Sequence, residues 1–297
     1  MSYTLSYIVS TRNRIQFLQI ILPLLFANIQ PDEEIIVVDS NSTDGTQDYL
    51  NELHSKGKIH KFISEPDKNQ AHGWNKAILM AEGEIIKKII DDDLFCFSAI
   101  QKCKNYMLTN KSIDVCISNT LTTNLNKYQT IEYESRRQYY LQWKLGKVKS
   151  FTFGDVSMLI RRSSIAYIGL YNTSFIMMDY EFSLRISYLR ANIAYHTGFN
   201  AMSLFNTDSV SSKVLPKELK IEGIRANTMY EYSGDQANIS PYSKLKIFIG
   251  KMLYRLGIWQ ISSQVNQQDY QIDLREIYRF CYEYLNSVNE CEDFTFL

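Results

Sequence analysis

Residues 5–39 read LSYIVSTRNRIQFLQIILPLLFANIQPDEEIIVVD, and this stretch decides the fold. Two runs rich in apolar residues, at 5–10 and 34–39, are predicted to be strands. Between them, residues 14–27 carry apolar side chains at helical spacing. Two strands joined by one helix form a βαβ unit, and a right-handed crossover makes such strands parallel. The sequence therefore predicts an α/β fold built on a parallel sheet.

The same alternation continues outward from this unit to about residue 119. Further strands are predicted at 59–64, 84–90 and 113–119, and further helices at 46–54, 72–81 and 98–108. Residues 120–150 are polar, aromatic and basic without a clear period, which indicates an insertion. Strand and helix patterns return at 156–205, and the chain becomes helical beyond residue 213.

Composition and charge exclude several classes of protein. The 297 residues allow at most two domains of about 150 residues, and 45% hydrophobic content can fill a real core. Because 32 basic residues balance 32 acidic ones, we expect no nucleic-acid partner. The five cysteines form no zinc-type pair, and neither a secretory signal nor an apolar run of about 20 residues is present. These features predict a cytoplasmic protein.

Polar clusters follow each of the first four predicted strands. They read STRNR at 10–14, DSNSTDG at 39–45, EPDKNQ at 65–70 and DDD at 91–93. In open α/β sheets, ligands bind beyond the carboxyl ends of the strands, where loop amides and helix N-termini converge. We therefore expect these four clusters to line one binding site.

Three carboxylates follow the fourth predicted strand. The two-residue period of a strand would place Asp91 and Asp93 on one side and Asp92 on the other. Like charges this close raise each other's pKa unless a cation neutralises them. Mg²⁺ or Mn²⁺, held by one or two carboxylates and completed by phosphate oxygens and water, meets that need. The alternative is an acidic helix cap or an exposed turn.

Other strand ends offer groups suited to a nucleotide. Asp39 could accept hydrogen bonds from a base or ribose, or it could cap the next helix. Arg12 and Arg14, and likewise Lys68 and Lys76, could neutralise a diphosphate, although a single basic residue in a loop is commonly just solvated. The residues alone leave these alternatives open.

Four segments in this order resemble a known family: VSTRNR, IIVVDSNSTDGT, SEPDKNQAHGWNKAILMAEGEII and IIDDDLF. Together they are similar to the nucleotide-binding half of a family 2 glycosyltransferase with the GT-A fold, over about residues 4–110 and again near 150–212. The resemblance implies a Rossmann-like, mostly parallel central sheet flanked by helices. It also implies a catalytic domain at 1–212 and leaves 213–297 as a C-terminal helical extension.

Within that catalytic domain the resemblance implies a nucleotide-binding half at about 1–118, an insertion at about 120–150 and an acceptor half at about 150–212. Asp39 matches the aspartate that reads the base, usually uracil. Asp91–Asp93 match the DXD motif, with Asp91 and Asp93 as metal ligands. The other residues implied to contact the nucleotide sugar are Ser10, Thr11, Arg12, Arg14, Lys68, Asn75, Lys76 and Asp92.

The segment MMDYEFSLR at 177–185 resembles the ED motif of the family, which implies that Asp179 is the general base. A sugar hydroxyl needs such a base because it is a poor nucleophile until its proton is removed. Met178 stands where the family commonly has glutamate, so Glu181 is the fallback. The alternative for Asp179 is an N-cap of the following helix. Asn206 falls where many relatives carry a histidine, so no third protein ligand for the ion is assigned.

The leading hypothesis is an inverting, Mn²⁺- or Mg²⁺-dependent glycosyltransferase. It would move a sugar from a nucleotide diphosphate, expected to be UDP, to a hydroxyl of a glycan or lipid-linked glycan in polysaccharide or cell-surface glycan synthesis. One alternative is a Mg²⁺-dependent phosphatase of the haloacid dehalogenase type, although its DxD motif follows an early strand. The other is a nucleotide-binding protein without activity, which loss of Asp93 or Asp179 would have favoured.

An amphipathic stripe at 242–260 has two interpretations. Its basic flanks could hold the protein peripherally at the inner face of the membrane, near a lipid-linked acceptor. It could instead pack on the catalytic domain or in a homodimer, which is the commoner use of such a helix in soluble proteins.

Overall fold

The computed structural model describes residues 3–205, 216–234, 273–291 and 293–297. The strands in these ranges are β1 (Leu5–Thr11), β2 (Glu33–Asp39), β3 (Lys61–Ser64), β4 (Ile85–Lys88), β5 (Leu94–Phe95), β6 (Val115–Asn124), β7 (Glu132–Glu134), β8 (Leu159–Arg161) and β9 (Ile193–Phe205). The helices are α1 (Ile15–Asn28), α2 (Thr46–Ser55), α3 (Gln70–Met80), α4 (Phe97–Thr109), α5 (Arg137–Lys144), α6 (Ile165–Ile168), α7 (Met178–Tyr188), α8 (Pro216–Met229) and α9 (Leu274–Cys291).

One sheet joins these strands in the order β3-β2-β1-β4-β8-β6-β9-β5, and β7 pairs with β6. The first four strands are mutually parallel, which confirms the prediction from the alternating pattern. β8 runs antiparallel between β4 and β6, and β9 runs parallel to β6. Because the first four strands share a direction, their carboxyl ends meet at one edge of the sheet.

The fourth strand is shorter than predicted. β4 ends at Lys88, and the Asp93 amide donates to the Ile90 carbonyl at 3.3 Å, so the three aspartates lie in a turn. The two-residue strand period therefore does not apply to them, and that reason for grouping Asp91 with Asp93 was wrong. The exposed-turn alternative is also wrong, because Asp91 and Asp93 are both buried.

Helices cover both faces of the sheet. One core cluster holds apolar residues of α1, α2, α4 and α9, and the other holds those of α3, α5, α6 and α7. Tyr140 and Trp143, from the predicted insertion, are buried in the second cluster. These aromatic rings therefore fill the core.

The described C-terminal residues pack into the same compact unit as the sheet. The last residues pair with β9, where the Leu297 amide donates to the Tyr195 carbonyl at 2.9 Å. The division of the chain at residue 212 stays a prediction. Asn206 and the stripe at 242–260 lie outside the described residues. Among the described helices, none combines the length and the apolar character needed to cross a bilayer.

A buried carboxylate ties together the beginnings of β1, β2 and β4. Glu34 is fully buried and accepts from the Ser6 hydroxyl and the Glu82 amide, both at 2.6 Å. The Gly83 amide donates to Ser6 Oγ at 2.8 Å and to Glu34 Oε1 at 3.1 Å. A Cβ atom at residue 83 would lie 2.6 Å from the Ser6 backbone nitrogen, so this approach requires glycine.

We expect Gly83→Ala to lower the free energy of unfolding by about 3 kcal/mol, because the clash is with backbone that cannot rotate away. Urea denaturation followed by circular dichroism measures the change. Gly154→Ala is the matched control, since a Cβ there meets nothing closer than 3.6 Å. An unchanged urea midpoint for Gly83→Ala would show that β1 and β4 do not approach this closely.

Candidate active site

An acidic turn, Asp91–Asp93, lies where the carboxyl ends of β1 and β4 meet. The Thr11 hydroxyl at the end of β1 donates to Asp91 Oδ2 at 2.6 Å. The Leu204 amide of β9 donates to Asp93 Oδ1 at 2.9 Å. Three separate parts of the chain are thus brought together at this turn.

Two further residues hold Asp92, the middle residue of the acidic turn. The guanidinium of Arg14 lies 3.9 Å from its carboxylate. The hydroxyl of Tyr278, which is buried on α9, donates to its backbone carbonyl at 2.6 Å. No feature of the sequence indicates this contact from the C-terminal helix, and only the packing of α9 reveals it.

The electrostatics of the acidic turn favour a bound cation. Burial, followed by the charge of Asp92, raises the pKa of Asp91 to about 7. The same two causes raise the pKa of Asp93 well above the ordinary aspartate value, against the opposing effects of the Leu204 amide and Lys88. Burial also raises the pKa of Asp92, although Arg14 opposes the shift. A positive ion beside these groups would stabilise all three carboxylates.

The donor set fits a hard divalent ion that is only partly held by protein. In the described ranges, no three His, Cys, Asp or Glu side chains are grouped so as to hold a metal ion by themselves. Mg²⁺ and related ions are commonly held by one or two carboxylates, with substrate phosphates and water as the remaining ligands. Asp91 and Asp93 are the buried carboxyl groups of the turn that could hold an ion in this way.

Asp39, at the end of β2, orders the loop that follows it. Its carboxylate is fully buried and accepts from the Ser42 amide at 3.0 Å, from the Ser42 hydroxyl, and from the Ser64 hydroxyl at 2.6 Å. The N-cap residue of α2 is Gly45, and Asp44 accepts from the Thr46 amide at 3.0 Å. The alternative that Asp39 caps α2 is therefore wrong.

α3 approaches β1 and the loop after β3 very closely. A Cβ atom at Gly73 would lie 2.3 Å from Ser10 Oγ and 2.7 Å from Asp67 Oδ2. The ammonium of Lys76 pairs with Asp67 at 2.6 Å and with Glu65 at 2.7 Å. Burial alone would lower the pKa of Lys76, but these two carboxylates raise it above its ordinary value.

The remaining predicted donor residues differ in their surroundings. Asn75 is buried, and its amide group exchanges two hydrogen bonds of 2.9 Å with the backbone of Tyr171, so it joins α3 to the segment before α7. Arg12 and Lys68 are exposed, and their side chains face solvent. Asn75 therefore has a clear structural role, whereas Arg12 and Lys68 remain accessible to a ligand.

Asp179 lies in the first turn of α7. The N-cap residue of this helix is Met177, so the N-cap alternative for Asp179 is wrong. Burial and then the charge of Asp155 raise the pKa of Asp179, while Lys88 opposes the shift. Asp179 is nevertheless an exposed residue. Asp179 is therefore accessible from solvent.

Glu181, the fallback for the general base, is already engaged. It is buried, and its two carboxylate oxygens accept from Arg185 at 3.0 and 2.8 Å. The Tyr230 hydroxyl donates to it as well. Because these partners occupy its oxygens, Glu181 is not placed to accept a proton from a substrate.

Three residues that the sequence analysis passed over connect the acidic turn with Asp179. Lys88, on β4, pairs with Asp155, and both side chains are buried. The Tyr171 hydroxyl donates to Asp155 at 2.8 Å. The charge of Lys88 acts on both Asp93 and Asp179. The sequence did carry a signal for this buried pair. Two lysines lie in the middle of an otherwise apolar strand, and a strand that is buried on both faces must pair its charges.

The chain is similar to known glycosyltransferases. Residues 6–169, more than half of the chain, match the family model described as "Glycosyl transferase family 2". A poly-beta-1,6-N-acetyl-D-glucosamine synthase of Staphylococcus epidermidis is 25% identical over 202 residues, which cover 64% of this chain and 47% of that protein. An uncharacterized glycosyltransferase of Nostoc sp., alr2836, is 26% identical over 113 residues, or 37% of this chain and 35% of that protein. The chain thus spans about half the length of the synthase.

Solved structures share the fold at low sequence identity. TarS 1-349 of S. aureus, crystallised with UDP-GlcNAc, is 14% identical with a TM-score of 0.59, over 97% of this chain and 91% of that one. The mannosyltransferase PcManGT of Pyrobaculum calidifontis, in complex with GDP-Man and Mn²⁺, is 14% identical with a TM-score of 0.53, over 98% and 88%. These likenesses confirm the predicted GT-A fold, and the C-terminal helix is present as α9.

The Lys88–Asp155 pair can be tested by a double-mutant cycle. We expect Lys88→Met to lower the free energy of unfolding by about 3–5 kcal/mol, because Asp155 is left buried without a counter-charge. The double variant Lys88→Met, Asp155→Asn should lose less than the two single variants together, as measured by urea denaturation. Lys56→Met is the control, since its pair with Glu52 is exposed and should contribute under about 1 kcal/mol. Strict additivity would contradict the pairing.

Proposed function

Because the chain belongs to glycosyl transferase family 2, we propose that it moves a sugar from a nucleotide diphosphate to a hydroxyl of a glycan, with inversion. The enzyme class, a glycosyltransferase, follows from the family and from relatives of the same class. One observation carries the finer proposal. A buried acidic turn is held by Thr11 and Leu204 at the end of β4. Lys88 of that strand, paired with Asp155, acts on both this turn and the exposed Asp179.

The donor is proposed to be a nucleotide sugar that binds at the acidic turn. The structural neighbours support this class, since TarS was crystallised with UDP-GlcNAc and PcManGT with GDP-Man. Ser10, Thr11 and Asp39 lie at the carboxyl ends of β1 and β2, and ligands commonly bind beyond these ends in open α/β sheets. We propose UDP as the carrier, on the resemblance of Asp39 to the aspartate that reads uracil.

The divalent ion is proposed to be Mn²⁺ or Mg²⁺, and the Mn²⁺ in PcManGT supports that choice. Asp91 and Asp93 would hold it, with Asp92 beside the donor. When bound, the ion would stabilise the negative charge of the departing nucleoside diphosphate. Arg14 brings a second positive charge to the turn, because its guanidinium lies 3.9 Å from Asp92.

The base is proposed to be Asp179. Its exposed carboxylate would accept the proton of the acceptor hydroxyl as the hydroxyl oxygen attacks the anomeric carbon. Attack from the face opposite the nucleotide inverts the configuration in a single displacement. Since Glu181 is bound by Arg185 and Tyr230, Asp179 is the carboxylate of α7 that can do this. Its raised pKa makes it a better proton acceptor than an ordinary aspartate.

The acceptor is proposed to be a glycan or lipid-linked glycan in polysaccharide or cell-surface glycan assembly. Similarity to a polysaccharide synthase supports that class, although the chain spans about half of that protein. Contact with the inner face of the membrane, cytoplasmic location and a homodimer stay predictions. The phosphatase alternative is excluded by the family. An inactive nucleotide-binding protein is disfavoured, because the chain keeps Asp93 in the buried acidic turn and Asp179 at an exposed position of α7.

Binding and turnover should separate between the two carboxylates. We expect UDP with Mn²⁺ to raise the melting temperature of the wild-type protein, and Asp93→Ala to abolish that rise because it removes a metal ligand. Asp179→Asn should keep the rise and lose about 10²–10⁴-fold in kcat, the contribution of a general base. Thermal shift and release of UDP from a nucleotide sugar are the measurements.

Asp48→Asn, at an exposed position of α2, is the control for both assays. The metal and donor roles would be wrong if UDP stabilised Asp93→Ala as strongly as the wild type. Equal loss of nucleotide binding in both variants would contradict the division of roles between Asp93 and Asp179.

The pH dependence of kcat should report the ionisation of Asp179. At saturating donor, kcat should fall as the pH drops through the pKa of Asp179, because only the ionised carboxylate accepts a proton. This acid limb should lie above the ordinary aspartate range, since burial and Asp155 raise that pKa. Asp155→Asn should move the limb to lower pH by removing the nearby negative charge. A limb that stays in place in Asp155→Asn would rule out Asp179 as the titrating group.

A further inference from the structure

The N-terminus of α7, which carries Asp179, is capped by another helix. A helix begins with backbone amides that have no hydrogen-bond acceptor within the helix. The side chain of a Ser, Thr, Asp or Asn at the N-cap usually accepts from one of these amides. Here the N-cap residue is Met177, whose thioether is a poor acceptor. Within the first turn, the Asp179 carboxyl accepts from the Tyr180 amide, which leaves the amide of Met177 itself to find an acceptor outside α7.

Glu222, on α8, meets that need. Its carboxylate accepts from the Ile176 amide at 2.9 Å through either oxygen, and from the Met177 amide at 3.0 Å. A carboxylate that accepts from amides at a helix N-terminus forms charge-assisted bonds and interacts favourably with the helix dipole. Glu222 is half-buried, and its bond to the Met177 amide is partly shielded from water.

Other residues of α8 grip the same stretch of chain. The Tyr180 hydroxyl donates to Asn227 Oδ1 at 2.7 Å, and Arg225 donates to the Ser174 hydroxyl at 3.2 Å. Tyr230, in the turn after α8, donates to Glu181. We call these contacts, together with that of Glu222, the α8 clamp. They fall on residues before, beside and after Asp179, so they fix the backbone that presents its carboxylate.

We infer that Glu222 is a positioning residue for the general base. The inference rests on the proposed function of Asp179, which lies two residues beyond the amide of Met177. The oxygen of a general base must lie within about 2.6–3.2 Å of the hydroxyl oxygen that it deprotonates. A displacement of about 1 Å can cost about 10²-fold in rate. By holding the first turn of α7 in place, Glu222 keeps the Asp179 carboxylate within this distance of the acceptor hydroxyl.

The inference predicts a loss in turnover without a loss in donor binding. Glu222→Ala should lower kcat by about 10–100-fold, and Glu222→Gln, which keeps one oxygen acceptor, should lower it less. The rise in melting temperature produced by UDP with Mn²⁺ should be the same as in the wild type. Glu218→Gln, one turn earlier at an exposed position of α8, is the matched control and should keep the wild-type kcat.

Two readouts separate positioning from a general loss of structure. The kcat is measured per folded molecule, below the melting temperature of each variant, so that a merely destabilised α8 would leave it unchanged. The graded order of wild type, Glu222→Gln and Glu222→Ala is the second readout. A wild-type kcat in Glu222→Ala would overturn the inference, and so would a loss of UDP and Mn²⁺ binding that accounts for the lost turnover.

Asp179→Asn is assayed in parallel to separate this inference from the proposed function. If Asp179→Asn turns over normally, the proposed base is wrong and Glu222 has no base to position. If Asp179→Asn is inactive while Glu222→Ala is fully active, the proposed function stands and only the inference fails.

Discussion

The buried pair of Lys88 and Asp155 is the interaction on which the site depends. β4 is a central strand with helices on both faces, so a lysine within it must find a counter-charge inside the protein. That counter-charge is Asp155, which also receives the Tyr171 hydroxyl. The ammonium lies 4.3 Å from the ring centre of Trp74, so it is enclosed by aromatic and acidic groups. From this position Lys88 opposes the raised pKa of both Asp93 and Asp179.

The acidic turn near this lysine carries three carboxyl groups that cannot all ionise at low cost. Asp91, Asp92 and Asp93 are consecutive, and burial raises the pKa of all three. In a purely structural protein, such a cluster would lower the free energy of unfolding without serving any purpose. Sites that break the rules for stable packing are commonly the functional ones. A cation and a diphosphate brought by the donor would complete the balance of charge.

The C-terminal part of the chain completes this site instead of standing apart from it. α9 reaches the acidic turn through Tyr278, and α8 reaches the N-terminus of α7 through Glu222. Both contacts are made to backbone atoms, the carbonyl of Asp92 and the amides before Asp179. Bonds of this kind fix the path of the chain and leave the carboxylates themselves open to ligands. Similar folds at 14% identity need not share these contacts, because only the fold is common to them.

The sequence by itself determined the parallel sheet, the polar strand ends and the family. Each of these follows from local order: apolar runs of strand length, helical spacing between them, and motifs whose residues are close along the chain. Thr11, Asp91 and Asp179 could be named for that reason. Only the tertiary structure decided that β4 stops at Lys88 and that Glu222 reaches Met177. Those facts rest on contacts between residues distant in sequence, and no local pattern encodes which distant partner a buried charge or an open helix end will find.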